Sequence, residues 1–247
     1  MRCPSSFAGF AFGLAAVTAG TPALSQTEPR AVVELFTSQG CSSCPAADKL
    51  IGELAKDPSL ITLSMSVDYW DYLGWKDTLA LKGHTQRQKG YANTRGDRQV
   101  YTPQVVINGV SHVVGSDRAE IEKALSRVRP REALSVPVGI FVGQDGLTVS
   151  VQSGSEAQQA GDVWLCLTAR EVHVKINKGE NRGKEVTYHN VVRRWVKLGT
   201  WAGGAQTWKV PKSDLAADNP DAATVLVQTG GAESPGTMLG AATASLR

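Results

Sequence analysis

Apolar and polar positions fall into two regimes along the chain. Ala31-Val32-Val33-Glu34-Leu35-Phe36 is a short apolar run with β-branched and aromatic residues, which predicts a buried strand. Ala47, Leu50, Ile51 and Leu54 then recur at i, i+3, i+4, i+7, which predicts a helix closed by Pro58. Residues 60–67 predict a second strand, and the mostly polar stretch 78–93 is compatible with a helix. Two β-rich runs, 104–107 and 111–114, flank Asn108-Gly109. That dipeptide suits a two-residue hairpin, because both turn positions need positive φ. A further helix is predicted from Asp117, with Glu120 completing a capping box and Ile121, Ala124, Leu125 and Val128 on its buried face. The predicted order is β-α-β-α-β-β-α, followed by a linker at Arg129-Pro130-Arg131.

From Ser135 onward the helical period nearly vanishes. Runs at 136–142 and 147–151 flank Gln144-Asp145-Gly146, a second hairpin candidate. Six more strand-like runs follow at 163–168, 172–176, 186–198, 207–210, 225–228 and 238–243, separated by turn residues. That spacing predicts an all-β sandwich-like unit. The expected organisation is an α/β domain over residues 30–130 and a separate β domain over 134–247.

Composition narrows the function classes. The 247 residues are 42% hydrophobic and 20% charged, which excludes a disordered chain. Four cysteines are too few for a disulfide-stapled scaffold. A net charge of +3 without a basic stripe argues against a nucleic-acid partner. Residues 1–25 have the pattern of a secretory signal: Arg2, an apolar run over 7–17, and Ala23-Leu24-Ser25 as the cleavage region. A retained N-terminal anchor is the alternative. No later stretch approaches 18 apolar residues, so no membrane span is expected after signal removal. The expected location is periplasmic or secreted. Cys3 would leave with the signal, and Cys41, Cys44 and Cys166 would work in an oxidising compartment.

Candidate chemistry centres on Gly40-Cys41-Ser42-Ser43-Cys44-Pro45, between the first strand and the first helix. Free N–H groups and the positive end of a helix dipole favour thiolate over thiol, and the thiolate is the species that attacks disulfides. Cys41 is the expected nucleophile and Cys44 the resolving thiol. An inert local disulfide and a metal site are the alternatives. Thr102-Pro103 is expected to supply the other half of the site, with Pro103 in a cis peptide lying against the cysteine pair. An ordinary trans proline opening a strand is the plainer reading.

With these elements in place, residues 31–128 resemble a thioredoxin-like domain. The run Thr102-Pro103-Gln104-Val105-Val106-Ile107-Asn108-Gly109, followed by Gly115-Ser116-Asp117, looks most like the glutaredoxin branch. That resemblance makes Thr102, Ser116 and Asp117 candidate contacts for a thiol ligand. Gly115 stands alone where that branch usually has two glycines, and Asp117 also reads as a plain helix cap. Longer blocks carry a closer resemblance, over about residues 30–210. They are residues 33–48, 67–77 and 95–103, and Gly179-Glu180-Asn181-Arg182-Gly183 with residues 188–193. Together they look like the secreted bacterial family called domain of unknown function 1223. The resemblance implies a fold and a compartment, with no settled activity.

Tyr69, Trp70, Tyr72 and Trp75 form an aromatic cluster after the second strand. Trp70 and Trp75 are candidate walls for an apolar substrate segment; packing against the β domain is the alternative. Arg95, in Arg95-Gly96-Asp97-Arg98, either stabilises a thiolate or substrate carboxylate or pairs with Asp97 in a turn. The loop 179–183 either docks on the α/β domain or binds a ligand. Cys166 reads as an inert strand residue, and a third exchanging thiol is its sharper role. His84 is expected on a helix surface, and the histidines show no ligand spacing. The expected function is a thiol–disulfide oxidoreductase with no cofactor, acting on a protein or small-thiol disulfide. A copper(I) carrier and a non-catalytic binding module with a structural disulfide are the competing readings.

Overall fold

The computed structural model describes residues 28–128, 134–155, 160–216 and 219–247. The signal segment and the linker at 129–131 lie outside the described residues.

The first half contains β1 (Ala31–Thr37), α1 (Pro45–Leu54), β2 (Leu60–Ser66), α2 (Lys82–Arg95), β3 (Gln104–Ile107), β4 (Ser111–Val114) and α3 (Arg118–Ser126). A 3-10 turn at Asp71–Leu73 has no counterpart in the pattern reading. β1 pairs parallel with β2 and antiparallel with β3, and every residue of β1 and β2 is buried. Alternate β1 residues serve two cores. Ala31, Val33 and Leu35 pack under α1 and α3, whereas Val32 and Phe36 face Tyr91 of α2.

The second half contains β5 (Val138–Gly143), β6 (Gly146–Val151), β7 (Gly161–Lys175), β8 (Glu185–Trp201), β9 (Gln206–Pro211), α4 (Lys212–Leu215), β10 (Ala222–Gly231) and β11 (Ser234–Ser245). Two runs read as separate strands, 163–168 and 172–176, are one 15-residue strand, β7, and β8 is 17 residues long. Ala169-Arg170-Glu171 looked like a break because it is the more exposed, polar middle of a continuous strand.

The expected fold class, an α/β thioredoxin-like domain followed by an all-β sandwich-like domain, is corrected by the sheet topology. Among the described residues one mixed sheet of eight strands, in the order β11-β10-β7-β8-β2-β1-β3-β4, runs through both halves, and β5-β6-β9 form a second sheet. The molecule is mostly β. The join is a parallel contact between β2 and β8 at Ser64 and Val191.

Burial explains why the halves merge. Val163, Leu165 and Leu167 of β7 and Ala223, Val225 and Val227 of β10 face the three-stranded sheet. Their alternates, Cys166 and Leu226, pack with Val32, Phe36 and Met238 against the first half. A layer apolar on both faces must be covered on both. The apolar edge of β2 would also invite pairing with another chain if left open, and β8 closes it. Met238 N donates to the Asn108 carbonyl (3.1 Å), so the β11 edge returns to the β3–β4 turn.

His84 is also placed differently from expectation. It is fully buried on α2, with Nδ1 2.9 Å from the Ser66 carbonyl. Burial pushes its pKa down to about 4.

Candidate functional site

β1 delivers the chain to a turn whose two cysteines form a disulfide, Cys41–Cys44. Cys44 takes the helix N-cap, and Pro45 occupies a first-turn position that needs no N–H. The Cys44 carbonyl accepts from Ala47 N (2.8 Å) and Asp48 N (3.0 Å). Ser42 and Ser43 are exposed, yet Cys41 is only 1% accessible and Cys44 0%.

Cys41 is framed by the segments expected to frame it. Its Sγ lies 3.4 Å from Ser43 Oγ and 3.7 Å from the Thr102 carbonyl. The Thr102–Pro103 bond is cis. Trp70 Nε1 donates to Thr102 Oγ1 (2.7 Å), and the Trp70 ring stacks on exposed Tyr72 at 6.3 Å. Gly40 permits this arrangement, since a Cβ there would sit 3.0 Å from Trp70 Cβ. Thr102, Pro103 and Trp70 are thus assembled with Cys41.

The other proposed residues divide. Trp75 Nε1 donates to Gln39 Oε1 (2.8 Å) while its ring packs with Ile176 and Tyr188 from the second half. Arg95 is taken up by Asp97 (2.8 Å), the turn pair rather than a cysteine partner. That pairing, with a backbone N–H from Gln99, holds the Asp97 carboxyl down at about 2. Asp97 also reaches His112 Nε2 (3.1 Å), whose Nδ1 is 2.8 Å from the Tyr101 hydroxyl. Asp117 caps α3 by accepting from Glu120 N (3.0 Å), and Ser116 is exposed beside it. Gly115 N donates to the Pro103 carbonyl (2.9 Å), which seats the end of β4 next to Pro103. Cys166 is a free buried thiol, and burial raises its pKa well above the ordinary range.

Near the disulfide lies a set of buried polar side chains that the pattern reading did not assign. Asp48 stands one helical turn after Cys44, on the same face of α1. Thr37 Oγ1 donates to its Oδ1 (2.7 Å), and Oδ2 has no protein partner. Burial pushes its pKa up to about 8, against the Thr37 hydrogen bond and with the Asp77 charge adding to the rise. Tyr188 of β8, whose hydroxyl also has no partner, is raised by burial and by the Asp48 and Asp77 charges. Asp77 is itself raised by burial, although it accepts from Gln39 N (2.7 Å) and Leu79 N (2.8 Å). The available signal was a carboxylate on the apolar face of an amphipathic helix.

The loop 177–184 docks. Asn181 Nδ2 donates to the carbonyls of Gln39 (2.9 Å) and Cys41 (2.8 Å). Among the described residues no group of three or more His, Cys, Asp or Glu side chains is placed to hold a metal ion. No described helix is long and apolar enough to cross a membrane.

The family model described as protein of unknown function, DUF1223, matches residues 32–228. No curated protein matches the chain. A crystal structure of an Agrobacterium tumefaciens protein is 36% identical with a TM-score of 0.78, covering 88% of this chain and 95% of that one. HBP35 of Porphyromonas gingivalis is 13% identical with a TM-score of 0.56, covering 89% and 76% of the two chains. At that identity HBP35 shares the fold alone.

Proposed function

This chain belongs to the DUF1223 family, and from that premise we propose that it is a thiol–disulfide oxidoreductase acting through Cys41 and Cys44. One observation carries the reading: a disulfide at a helix N-terminus with its Cys41 sulfur against the Thr102 carbonyl and beside the Trp70–Tyr72 stack. Cys41 is the exchanging sulfur, since it adjoins Thr102. Cys44 is the resolving one, set at the helix cap above Asp48.

The chemistry is a pair of thiolate displacements. A substrate thiolate attacks Cys41 Sγ, the Cys41–Cys44 bond breaks, and Cys44 leaves as a thiolate. The second substrate thiolate then attacks its own sulfur in the mixed disulfide and releases Cys41. The substrate loses two electrons and the protein gains them; reduction of a substrate disulfide runs the same steps in reverse. Substrates in this reading are protein or small-thiol disulfides, aligned along Thr102 and the Trp70–Tyr72 stack. The place of action is the periplasm or the cell exterior, supported by the signal pattern of residues 1–25 and by an oxidised pair.

The test is Cys44→Ser, which blocks resolution. Expressed with its natural export segment, the variant is expected to accumulate mixed disulfides through Cys41 that dithiothreitol releases. A Cys41 thiol that forms no adduct and does not react with small disulfides would overturn the reading.

A further inference from the structure

An exchanging sulfur must be reached along the S–S axis, yet Cys41 is 1% accessible. The loop between β7 and β8 reaches the backbone of the disulfide turn. It is tied to itself by Arg182 N to Gly179 O (3.2 Å), Gly183 N to Ile176 O (2.8 Å) and Lys184 N to Asn181 O (3.0 Å). Gly179 and Gly183 adopt φ of 76° and 84°, which glycine accepts without strain. This small rigid frame projects one side chain, Asn181, itself 1% accessible, onto the disulfide loop.

Both amide hydrogens of Asn181 are used there, one on the Gln39 carbonyl and one on the Cys41 carbonyl. Lys184 Nζ donates to its Oδ1 (2.8 Å), which fixes the orientation of the amide. The Cys41 carbonyl also accepts from Cys44 N (3.2 Å), so Asn181 grips the atom that closes the disulfide turn. Trp75 reinforces the grip, hydrogen-bonded to Gln39 and with its Cβ beside Gly179.

We propose that Asn181 is a positioning residue that latches the disulfide loop, so that Cys41 is open to a thiolate only when the two amide hydrogen bonds release. The inference deepens the oxidoreductase reading and rests on it for its purpose. Its test uses the disulfide alone, so the two fail separately. The loop comes from the second half of the chain, which makes that half part of the site rather than an appended unit.

The experiment is reduction of the oxidised protein by dithiothreitol, followed by thiol appearance, at increasing reductant and at several low urea concentrations. One dithiothreitol thiolate displaces Cys44 from Cys41; the second closes the reductant's ring and releases Cys41. In the wild type the rate is expected to level off with reductant, at the rate of latch opening, with almost no urea dependence. Asn181→Ala and Asn181→Asp both remove the two donors. Each is expected to stay first order in reductant and to run at least tenfold faster at the highest concentration. Asn181→Ser keeps one donor and gives an intermediate rate, and it replaces either variant should that one not fold. Rates within threefold of wild type in the folded variants would overturn the proposal. So would a rise that carries the full urea dependence of global unfolding, since a merely structural residue acts that way.

Discussion

Strand β1 carries a buried polar cluster on each face, and the two are completed differently. On the face toward α2, Glu34 accepts from Arg87 Nε (2.7 Å) and from the Tyr91 hydroxyl (2.5 Å). Arg87 also donates to Tyr91 (2.7 Å) and Gln228 (2.8 Å), and its guanidinium lies 4.5 Å over the Trp195 ring. Gln228 Nε2 closes the set on Tyr91 and the Gly236 carbonyl. Burial works against the Arg87 charge, and Glu34, Tyr91 and Cys166 together more than offset it. On the opposite face, Thr37 meets Asp48, and two buried oxygens, Asp48 Oδ2 and the Tyr188 hydroxyl, have no protein partner. The hydrogen bonds among Glu34, Arg87, Tyr91 and Gln228 specify structure, whereas unpartnered buried oxygens near the Cys41–Cys44 disulfide leave capacity for proton exchange. The first cluster joins β1, α2 and β10 across the molecule; the second joins β1 and α1 one helical turn from Cys44.

The largest expected effect breaks the first cluster. Glu34→Ala leaves Arg87 buried without its counter-charge, which costs about 3–5 kcal/mol. Urea unfolding is expected to show that loss with an unchanged slope. Adding Arg87→Met is expected to recover part of it, because the unpaired charge is then gone. A loss below about 1 kcal/mol would mean that Glu34 is not what compensates the buried Arg87 charge.

An effect smaller per pH unit separates the clusters by pH. The Asp48 carboxyl, 3.8 as a free group, is raised to about 8 in the fold. Between those values the folded state holds a proton that the unfolded state has released. Its contribution is therefore full below about pH 4 and is lost as pH rises through about 8, by at most about 1.4 kcal/mol per pH unit. Asp48→Asn removes that slope. Unfolding measured at pH 5, 6, 7 and 8 is expected to show the wild type losing stability relative to Asp48→Asn across the series. Parallel curves would mean that Asp48 is ionised in the fold.

Much of this architecture is legible in local pattern, and the limits are physical. β3, β4 and the capped start of α3 follow from an Asn-Gly turn and an Asp-x-x-Glu signal, each encoded within a few residues. The double-sided burial of Leu165-Cys166-Leu167 and Val225-Leu226-Val227 is also written in the sequence, as apolar runs without alternation. Taken as strands of a separate β unit, they concealed that their second face belongs to the first half. The pairing of Ser64 with Val191 and the bond from Asn181 to Cys41, 140 residues apart, have no local signature at all. The juxtaposition of Cys41, Cys44, Thr102 and Pro103 was therefore legible, and the contacts that distant loops add to it were not.

Trp70 tests the aromatic side of the disulfide at a lower magnitude. Trp70→Phe keeps the stack with Tyr72 but removes the hydrogen bond to Thr102 Oγ1, worth about 1 kcal/mol. The expected outcome is that loss in urea unfolding, together with weaker substrate binding in exchange assays and little change in the maximal rate. A fall in the maximal rate with binding intact would instead place Trp70 in the displacement step.

The smallest expected effect supplies the contrast that gives the first its meaning. Arg118 on α3 pairs with Glu53 and, at 3.4 Å, with Glu122, and all three side chains are substantially solvated. Like Glu34 and Arg87 these are opposite charges in contact, one of them across two elements. Water screens them, however, and either partner is rehydrated when the other is removed. Arg118→Ala is expected to cost less than about 1 kcal/mol and to lose even that in 1 M salt, whereas the Glu34→Ala penalty persists there. If the two substitutions cost the same, burial is not what distinguishes the two ion pairs.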